Sequence, residues 1–387
     1  MRVTSDILYI GVNDHSVDLF EGQYPVPSGM AYNSYLIRDD KIAVLDTVDR
    51  HFVDVWGKNL SDALCGRVPD YLIVQHMEPD HSAGIVAFME RYPDAVILAT
   101  DRAFLMMRQF FGCDFADRRR VVKEGDTLAL GTHTLSFVQA PMVHWPEVMM
   151  TYDAHDRVFF SADAFGKFGA LDAEEDWACE ARRYYFGIVG KYGAQVKNLL
   201  KKASALEIAT ICPLHGPVLS GDLSPYLNLY DTWASYRPES CGVTIAYTSV
   251  YGHTEQAVKR LAQCLEEAGV KVALHDLARC DMAEAVEDAF RYDRLVLATT
   301  TYNAGIFPFM QTFLSHLTER GYTNRTVTLI ENGSWAPTAA KEMRRLLEGC
   351  RDLTIAEPVV TIRSALSPDS EAALASLAKA LADVENG

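Results

Sequence analysis

Residues 241–387 of this 387-residue chain alternate short apolar segments with helical ones. Five of the apolar segments have the length of strands, and they read VTIAYTS, KVALHDL, RLVLATT, TVTLIEN and VVTI. Strands that are apolar throughout and alternate with helices predict a parallel sheet that is covered on both faces. Five such units in about 145 residues predict a doubly wound α/β domain.

The first 240 residues have a different rhythm, in which short strands are mixed with helices. This pattern predicts an α/β sandwich with its sheets at the centre. One long helix is predicted from about Cys179 to Ala205. The segment YRPESCG, residues 236–242, reads as a linker. We therefore predict two domains, at 1–240 and 241–387.

Composition excludes several classes of partner. The formal net charge is −16, which disfavours nucleic acid and anionic membranes because their phosphates would be repelled. No apolar run reaches the roughly 20 residues that span a bilayer, and the N-terminus meets polar residues too early for a signal peptide. Eight scattered cysteines without a C-x-x-C pair indicate a reduced, cytoplasmic protein.

The segment QHMEPDHSAG follows the apolar run at 71–74 and concentrates metal-binding side chains. It holds His76, Glu78, Asp80 and His81 within six residues. A polar turn that caps a helix would need only one small polar residue here. The density of imidazoles and carboxylates after a strand therefore favours a metal site over an ordinary turn.

Three later segments place further candidate ligands at the ends of apolar strands. His144 follows LSFVQA, Asp163 follows RVFF and His215 follows EIATI. Taken singly, each could be a helix cap or a hydrogen-bonded core residue. Because strand ends of one sandwich can converge on one edge, the set of four histidines and three carboxylates predicts two metals that share one bridging carboxylate.

A strand followed by H-x-[HE]-x-D-H, with later His, Asp and His at strand ends, resembles the metallo-β-lactamase fold. Zinc hydrolases of that fold usually have His at the third position of the motif, where this chain has Glu78. That difference, with PMVHWPE, SADAFG and HGP, is similar to the flavodiiron proteins. The resemblance covers essentially the whole chain and implies an N-terminal metallo-β-lactamase-like αββα sandwich followed by a flavodoxin-like doubly wound parallel sheet.

The resemblance also implies which residue holds which metal. One iron would be held by His76, Glu78 and His144, and the other by Asp80, His81 and His215, with Asp163 as the bridge. His81 either binds iron directly or supports a residue that does. The chemistry agrees, because a carboxylate such as Glu78 is a harder ligand than imidazole and suits iron better than zinc.

Three loops of the second domain have the positions and residue types of a flavin site. A Ser/Thr-rich turn that opens a helix can bind phosphate, and the first βα turn of such a sheet is a nucleotide-binding position. An ordinary capped turn and aromatic packing at a domain edge are the alternatives. The predicted FMN contacts are Ser249, Val250, Tyr251, His253, Thr254, Thr301, Tyr302, Asn303, Ala304, Gly305, Ser334 and Trp335.

The resemblance implies an oxidoreductase that reduces dioxygen to water, nitric oxide to nitrous oxide, or both. Reduced FMN holds two electrons and two ferrous ions hold one each, and the sum of four matches the reduction of dioxygen. No C-x-x-C module follows the second domain, so we expect an external donor such as rubredoxin or a reduced deazaflavin. A zinc hydrolase with an accessory domain and a non-catalytic electron carrier are the alternative functions.

Two further expectations follow from the resemblance. Tyr192, in the segment VGKYGAQ, is predicted to lie near the irons and to hydrogen-bond a reduced intermediate, with core packing as the alternative. His81 is the other predicted catalytic residue. The working unit is expected to be a head-to-tail homodimer, or a dimer of such dimers, because electron transfer falls steeply with distance. The FMN of one chain would then face the di-iron site of its partner.

Overall fold

The computed structural model describes residues 1–383, so residues 384–387 at the end of the predicted second domain lie outside it. The chain forms two compact units, which divide between Asp231 and Thr232. Within residues 1–383, every helix is too short or too polar to cross a membrane.

The first unit is built from short strands and the helices between them. Its strands are β1 (Ile7–Tyr9), β2 (Val12–Asp14), β3 (Leu19–Phe20), β4 (Tyr24–Pro25), β5 (Met30–Tyr32), β6 (Tyr35–Arg38), β7 (Ile42–Leu45), β8 (Tyr71–Ile73), β9 (Val96–Ala99), β10 (Arg119–Val121), β11 (Thr127–Ala129), β12 (Thr134–Gln139), β13 (Met149–Asp153), β14 (Val158–Phe160), β15 (Thr210–Cys212) and β16 (Leu219–Ser220). Its helices are α1 (Val53–Leu64), α2 (Pro79–Ser82), α3 (Ile85–Arg91), α4 (Asp101–Phe111), α5 (Trp177–Tyr184), α6 (Gly193–Ala203) and α7 (Ser224–Ala234), the last of which runs past the division.

Two six-stranded sheets form the centre of the first unit. One has the order β1-β6-β7-β8-β9-β10, and the other has the order β11-β12-β13-β14-β15-β16. Apolar side chains from both sheets form one core, and these include Ile37, Leu45, Ile73, Phe137 and Phe160. Burying these faces against each other is the main stabilising contribution to a sandwich of this kind. The predicted sandwich is confirmed.

The predicted helix from about Cys179 to Ala205 is interrupted. A π-helical turn at Tyr185–Val189 and a 3₁₀ turn at Gly190–Tyr192 separate α5 from α6. Gly187 lies in the break, and its carbonyl accepts a hydrogen bond from the Tyr24 hydroxyl at 2.9 Å. A side chain at Gly187 would come within about 3.1 Å of the Tyr24 ring. This close approach explains why a glycine stands there and weakens the helix, since glycine lowers helical stability.

The second unit is a parallel sheet with helices between its strands. Its strands are β17 (Ser240–Tyr247), β18 (Val272–Asp276), β19 (Tyr292–Tyr302), β20 (Gly305–Ile306), β21 (Arg325–Asn332), β22 (Leu353–Ile355) and β23 (Val360–Ile362). Its helices are α8 (His253–Glu267), α9 (Met282–Arg291), α10 (Pro308–Glu319), α11 (Ala339–Leu347) and α12 (Pro368–Ala382).

The order of the strands in this sheet is β18-β17-β19-β21-β22, and β23 also pairs with β21. All the pairings along this order are parallel. An order that reverses direction at the first strand creates a crevice at the carboxyl ends of β17 and β19, where doubly wound folds bind ligands. The predicted flavodoxin-like sheet is confirmed.

Candidate metal centre and flavin loops

All the predicted metal ligands follow the carboxyl ends of strands in the first unit. Strand β8 leads to His76 and to the short helix α2, and β12, β14 and β15 lead to the other three ligand positions. Strands β14 and β15 are parallel, and β12 runs the same way because both β12 and β14 are antiparallel to β13. The ends of these strands therefore meet at one edge, and all seven side chains are buried.

Four of these residues form one cluster of potential ligand atoms, namely His76, Glu78, His144 and Asp163. Glu78 Oε2 lies 3.2 Å from His76 Nε2 and 3.0 Å from His144 Nε2. Asp163 Oδ2 lies 3.3 Å and 3.0 Å from the same two nitrogens. Two imidazoles and two carboxylates thus point at a common centre.

The remaining three residues form a second cluster, made of Asp80, His81 and His215. The Nε2 atoms of the two histidines are 3.0 Å apart. Asp80 Oδ2 lies 3.4 Å from each of them. Asp163 Oδ1 lies 3.4 Å from His81 Nε2 and 3.9 Å from His215 Nε2. Asp163 therefore presents one oxygen to each cluster, as a bridging ligand would.

The donor set fits two bound cations. Both carboxylate oxygens of Asp80 and both of Asp163 are buried without a hydrogen-bond partner among the described residues. A buried carboxylate without donors costs several kcal/mol unless a cation compensates it. The mixture of imidazoles and carboxylates suits iron. These seven side chains would therefore hold a di-iron centre.

Burial and neighbouring charges shift the pKa values of the candidate ligands in different directions. Burial works to raise the pKa of Glu78, but hydrogen bonds and charges from His144 and His76 outweigh it and keep the pKa below its usual range. Burial raises the pKa of Asp80 to about 7. Burial together with the His81 charge lowers the pKa of His215 to about 4. Glu78 and His215 are therefore already in the deprotonated form that binds a metal, and a bound ion would displace the proton of Asp80.

Two buried carboxylates that were not predicted from the sequence support the ligands. Glu147 Oε1 lies 2.8 Å from His76 Nδ1 and accepts a hydrogen bond from the Met77 amide at 2.9 Å. Asp46, directly after β7, accepts hydrogen bonds from the Gln75 and His76 amides at 2.8 and 3.3 Å. Such partners fix the orientation of a ligating imidazole. The position of Asp46 at a strand end was the available signal, whereas Glu147 closes the quoted segment PMVHWPE.

Tyr184, at the end of α5, lies beside the metal cluster. Its ring centroid lies 5.5 Å from that of His215, and its buried hydroxyl has no hydrogen-bond partner among the described residues. Burial, followed by the charges of Asp163, Glu78 and Asp80, raises the pKa of this hydroxyl well above its usual value. Tyr192 is half-buried and makes no hydrogen bond or ring contact with the seven ligands in the described part of the chain, so its catalytic role stays a prediction.

The predicted flavin residues lie in three segments of the second unit, which we call the flavin loops: the turn after β17 with the start of α8, the end of β19 with the turn into β20, and the loop after β21. These strands are neighbours in the sheet, so the loops share one edge. Thr254 is buried at the start of α8, while Tyr251 and Trp335 are each 90% exposed. The remaining contacts predicted from the sequence are half-buried or exposed on the same loops, namely Ser249, Val250, His253, Thr301, Tyr302, Asn303, Ala304, Gly305 and Ser334.

Hydrogen bonds hold these loops against one another. Thr254 Oγ1 lies 3.3 Å from Thr300 Oγ1 and accepts a hydrogen bond from Asn332 Nδ2 at 3.3 Å. Ser334 Oγ lies 2.5 Å from Ser364 Oγ, on the loop after β23. Thr300, Asn332 and Ser364 were not predicted from the sequence, although Thr300 and Asn332 end two of the predicted strands.

The first of the three loops fits the phosphate of FMN. Helix α8 has fifteen residues, and its N-terminal cap is Gly252, which offers no side chain to the first amides of the helix. Gly252 has a φ of +88°, which other residues adopt only with strain. Unpaired amides at the positive end of a helix dipole attract an anion. Gly252, Thr254 and the exposed Ser249–Tyr251 turn would hold the phosphate.

Both units match known families. Residues 30–216 match the family described as ODP family beta lactamase, and residues 245–348 match flavodoxin. The chain is 29% identical over 374 residues to the nitric oxide reductase of Moorella thermoacetica, covering 94% of this chain and 93% of that protein. It is 30% identical over 359 residues to the anaerobic nitric oxide reductase flavorubredoxin of Salmonella arizonae, covering 89% of this chain and 74% of that protein.

Solved structures agree with the sequence matches. A variant of the flavo di-iron protein from Thermotoga maritima has a TM-score of 0.89 at 25% identity, over 99% of this chain and 98% of that one. The rubredoxin oxygen:oxidoreductase of Desulfovibrio gigas shares the fold with a TM-score of 0.91 at 24% identity, over 99% of this chain and 97% of that one. With both family models, a flavorubredoxin relative and this ligand set in agreement, the chain belongs to the flavodiiron proteins.

Proposed function

We propose that this protein is an oxidoreductase that reduces dioxygen to water, nitric oxide to nitrous oxide, or both. The observation that carries the proposal is Asp163, whose two oxygens face two separate clusters of imidazoles and carboxylates. When bound, reduced FMN and two ferrous ions supply four electrons in total, which is the number that converts dioxygen to two waters. The names of the Moorella and Salmonella relatives support nitric oxide as a substrate.

The residues around the ligands give a small molecule access to them. A cavity of about 490 Å³ has Glu78 and Asp80 in its wall and also includes the exposed residues Leu19, Glu21 and His51, so it opens to solvent. A water molecule occupies about 30 Å³ of liquid, so a diatomic gas has ample room. The Tyr184 hydroxyl, with its raised pKa, keeps its proton at neutral pH and can donate a hydrogen bond to a bound reduced product.

The alternative functions predict different metal contents and kinetics. A zinc hydrolase would place imidazole where Glu78 stands, and the family assignment leaves that function without support. In a protein that only carried electrons through FMN, buried carboxylates without hydrogen-bond donors would destabilise the fold and serve no purpose. The decisive experiment is anaerobic stopped-flow, in which the fully reduced protein is mixed with dioxygen or nitric oxide in turn. Rapid flavin reoxidation with either gas supports the proposal, and reoxidation no faster than that of free FMN with both gases contradicts it.

We also propose a cytoplasmic location and an external donor, of which rubredoxin is the first choice and a reduced deazaflavin the second. The eight cysteines are free thiols, which suits a reducing compartment. The name of the Desulfovibrio fold relative supports rubredoxin. Titrating the oxidised protein with each reduced donor, anaerobically, distinguishes the two by which of them bleaches the flavin absorbance.

The working unit in this proposal is a head-to-tail homodimer in which FMN of one chain serves the irons of its partner. Tyr251 and Trp335, both 90% exposed beside the flavin loops, favour an interaction surface at that edge, because large exposed aromatics often mark one. A twofold interface is self-complementary and closes as a dimer. A tetramer would contain two of these head-to-tail dimers.

Mixing two inactive variants tests the dimer. His144→Ala removes an iron ligand, and Thr254→Glu places a negative charge where the phosphate would bind. After dissociation and random reassembly, about half of the dimers are mixed and each holds one intact pair, so about a quarter of wild-type activity should return. If mixed dimers form and activity does not return, electron transfer stays within one chain.

For the domain boundary we keep the division after residue 240 as the proposal and test it with two fragments. The fragment 241–387 should bind FMN by itself, because its strands complete the sheet. The compact unit begins at Thr232, and within it Arg325 Nη1 donates a hydrogen bond to the Tyr236 carbonyl at 2.7 Å. If only the fragment 232–387 is soluble and binds FMN, the boundary lies before residue 240.

A further inference from the structure

A second cluster of metal-binding side chains lies at the opposite end of the strands that carry the di-iron ligands. His133 directly precedes β12, Asp153 ends β13, and Asp156 stands in the turn before β14. Strand β12 has six residues and spans about 20 Å, and its other end leads to His144. The cluster is therefore separate from the di-iron site.

The three side chains can reach one ion. Potential ligand atoms of His133, Asp153 and Asp156 all lie within 4.8 Å of one another. His133 Nδ1 lies 3.0 Å from Asp153 Oδ2. Among residues 1–383, neither carboxylate forms an ion pair with Lys or Arg. The Asp153 carboxylate also accepts hydrogen bonds from the His155 and Asp156 amides at 3.4 and 3.0 Å, so in this part of the described chain the charged partners of the two carboxylates are imidazoles.

Two buried atoms of the cluster have no hydrogen-bond partner among the described residues, His133 Nε2 and Asp156 Oδ2. His133 is only 1% exposed, so water does not satisfy its ring. In the absence of a metal, a proton on Nδ1 is donated to Asp153 and Nε2 is left unsatisfied, which is unfavourable for a buried polar atom. Asp6 Oδ2 lies 3.9 Å from Nε2.

We propose that His133, Asp153 and Asp156 form a binding site for a divalent transition cation, for which Zn²⁺ is the best match. With the ion on His133 Nδ1, the proton of the imidazole moves to Nε2, on the side of the half-exposed Asp6 carboxylate 3.9 Å away. Ligating histidines commonly donate this proton to a carboxylate. The ion would also satisfy Asp156 Oδ2. One imidazole and two carboxylates leave the fourth tetrahedral position to water.

The ion would join the turns that begin β12 and β14. The same two strands carry His144 and Asp163 at their other ends. His133 is also tied to the turn after β6, because its amide donates a hydrogen bond to Asp39 Oδ2 at 2.6 Å. The site therefore has a structural role in this proposal, fixing the ends of strands from both sheets.

Zinc content of the iron-loaded holoprotein tests the proposal. After dialysis against micromolar Zn²⁺, wild type should hold one zinc per chain in addition to its iron, with the iron content unchanged. Asp156→Asn and His133→Gln should each weaken zinc binding at least about tenfold, the usual effect of losing a ligand or its support. Anomalous diffraction at the zinc edge should place the ion between the two turns.

His275→Gln is the matched control, since His275 and Asp288 form a similar His–Asp pair at 2.9 Å in the second unit, outside any predicted cation site. This variant should bind zinc like wild type. Should His133→Gln fail to fold, Asp156→Asn decides, because Asp156 is only partly buried. Zinc uptake only at the expense of iron, or equal uptake in wild type and Asp156→Asn, would overturn the proposal.

Discussion

The metal pocket and the flavin loops use their polar groups in opposite ways. In the pocket, every predicted ligand is buried, and Asp80 and Asp163 have carboxylate oxygens without hydrogen-bond partners among the described residues. On the flavin loops, the hydroxyl of Thr254 and the amide of Asn332 bond to neighbouring side chains and backbone. Most of the remaining loop residues face solvent.

This difference predicts what each site needs from its cofactor. Uncompensated charge in a buried site is expensive, so the pocket depends on cations for its stability as well as its chemistry. Polar side chains of the flavin loops already form hydrogen bonds with one another, and solvent can hydrate the polar groups that remain. We therefore expect changes in the pocket to have large effects on metal content, and the loss of a single hydroxyl from the loops to have a small effect on flavin affinity.

The largest effect is expected for Asp163→Asn. The amide offers one oxygen instead of two and carries no charge, so both clusters lose their shared ligand. Iron content should fall below one per chain and turnover by more than about 100-fold, beyond the loss typical of a supporting residue, while FMN stays bound. Metal analysis and flavin absorbance measure this. Asp172→Asn, at an exposed carboxylate, is the control. Full iron content in Asp163→Asn would contradict the dependence of the metal pocket on its bridging carboxylate.

Glu147→Gln should have the next largest effect. The variant keeps the shape of the side chain but weakens the contact with His76 Nδ1, so the ligating ring is less firmly oriented. Iron affinity should fall about 10- to 100-fold, as measured by competition with a chelator. Glu124→Gln alters an exposed carboxylate that pairs with Lys202 and should leave affinity unchanged. Equal affinities in the two variants would show that Glu147 is only a packing residue.

Tyr184→Phe sharpens the comparison within the pocket. Removing a hydroxyl that has no hydrogen-bond partner within residues 1–383 costs little stability, so folding and iron content should be unchanged. Turnover should fall about tenfold, the effect of one hydrogen bond to a charged group. Tyr192→Phe is the matched variant, because the sequence predicted the same role for Tyr192. If Tyr192→Phe lowers turnover and Tyr184→Phe does not, the hydrogen bond to the reduced product comes from Tyr192, as the sequence predicted.

The smallest effect is expected for Thr254→Ala on the flavin side. The variant removes contacts with Thr300 and Asn332, each worth about 1 kcal/mol at most, so FMN should bind about threefold more weakly. Fluorescence titration of the apoprotein measures the dissociation constant. Thr312→Ala, whose hydroxyl bonds only to its own helix, is the control. A loss of iron in Thr254→Ala would contradict the separation of the two sites.

The residues at strand ends were predictable because chemistry and position coincide in the sequence. His76, Asp163 and His215 each follow an apolar strand, and parallel strands bring such ends to one edge. Glu147 and Ser364 were not predictable in the same way. Each acts only through a neighbour that is distant in the chain, His76 and Ser334 respectively.

The position of Tyr184 beside the metal ligands shows most clearly what could not be predicted from the sequence. The long helix predicted between Cys179 and Ala205 gave no reason to prefer Tyr184 over Tyr192. The Gly187 contact with Tyr24 accompanies the break in that helix, and α5 then ends with Tyr184 beside His215. Local propensity could not reveal this, because Tyr24 lies far away in the sequence.

The sequence by itself determined the two α/β architectures, the seven candidate ligands and the three flavin loops. It could do so because hydrophobic periodicity fixes strands and helices locally, and because the ligand types are unusual at strand ends. Only the tertiary structure decided that Asp163 faces both clusters, that Glu147 supports His76, and that His133 meets Asp153 and Asp156. The physical reason is that these contacts join separate strands, and their distances depend on how the sheets pack.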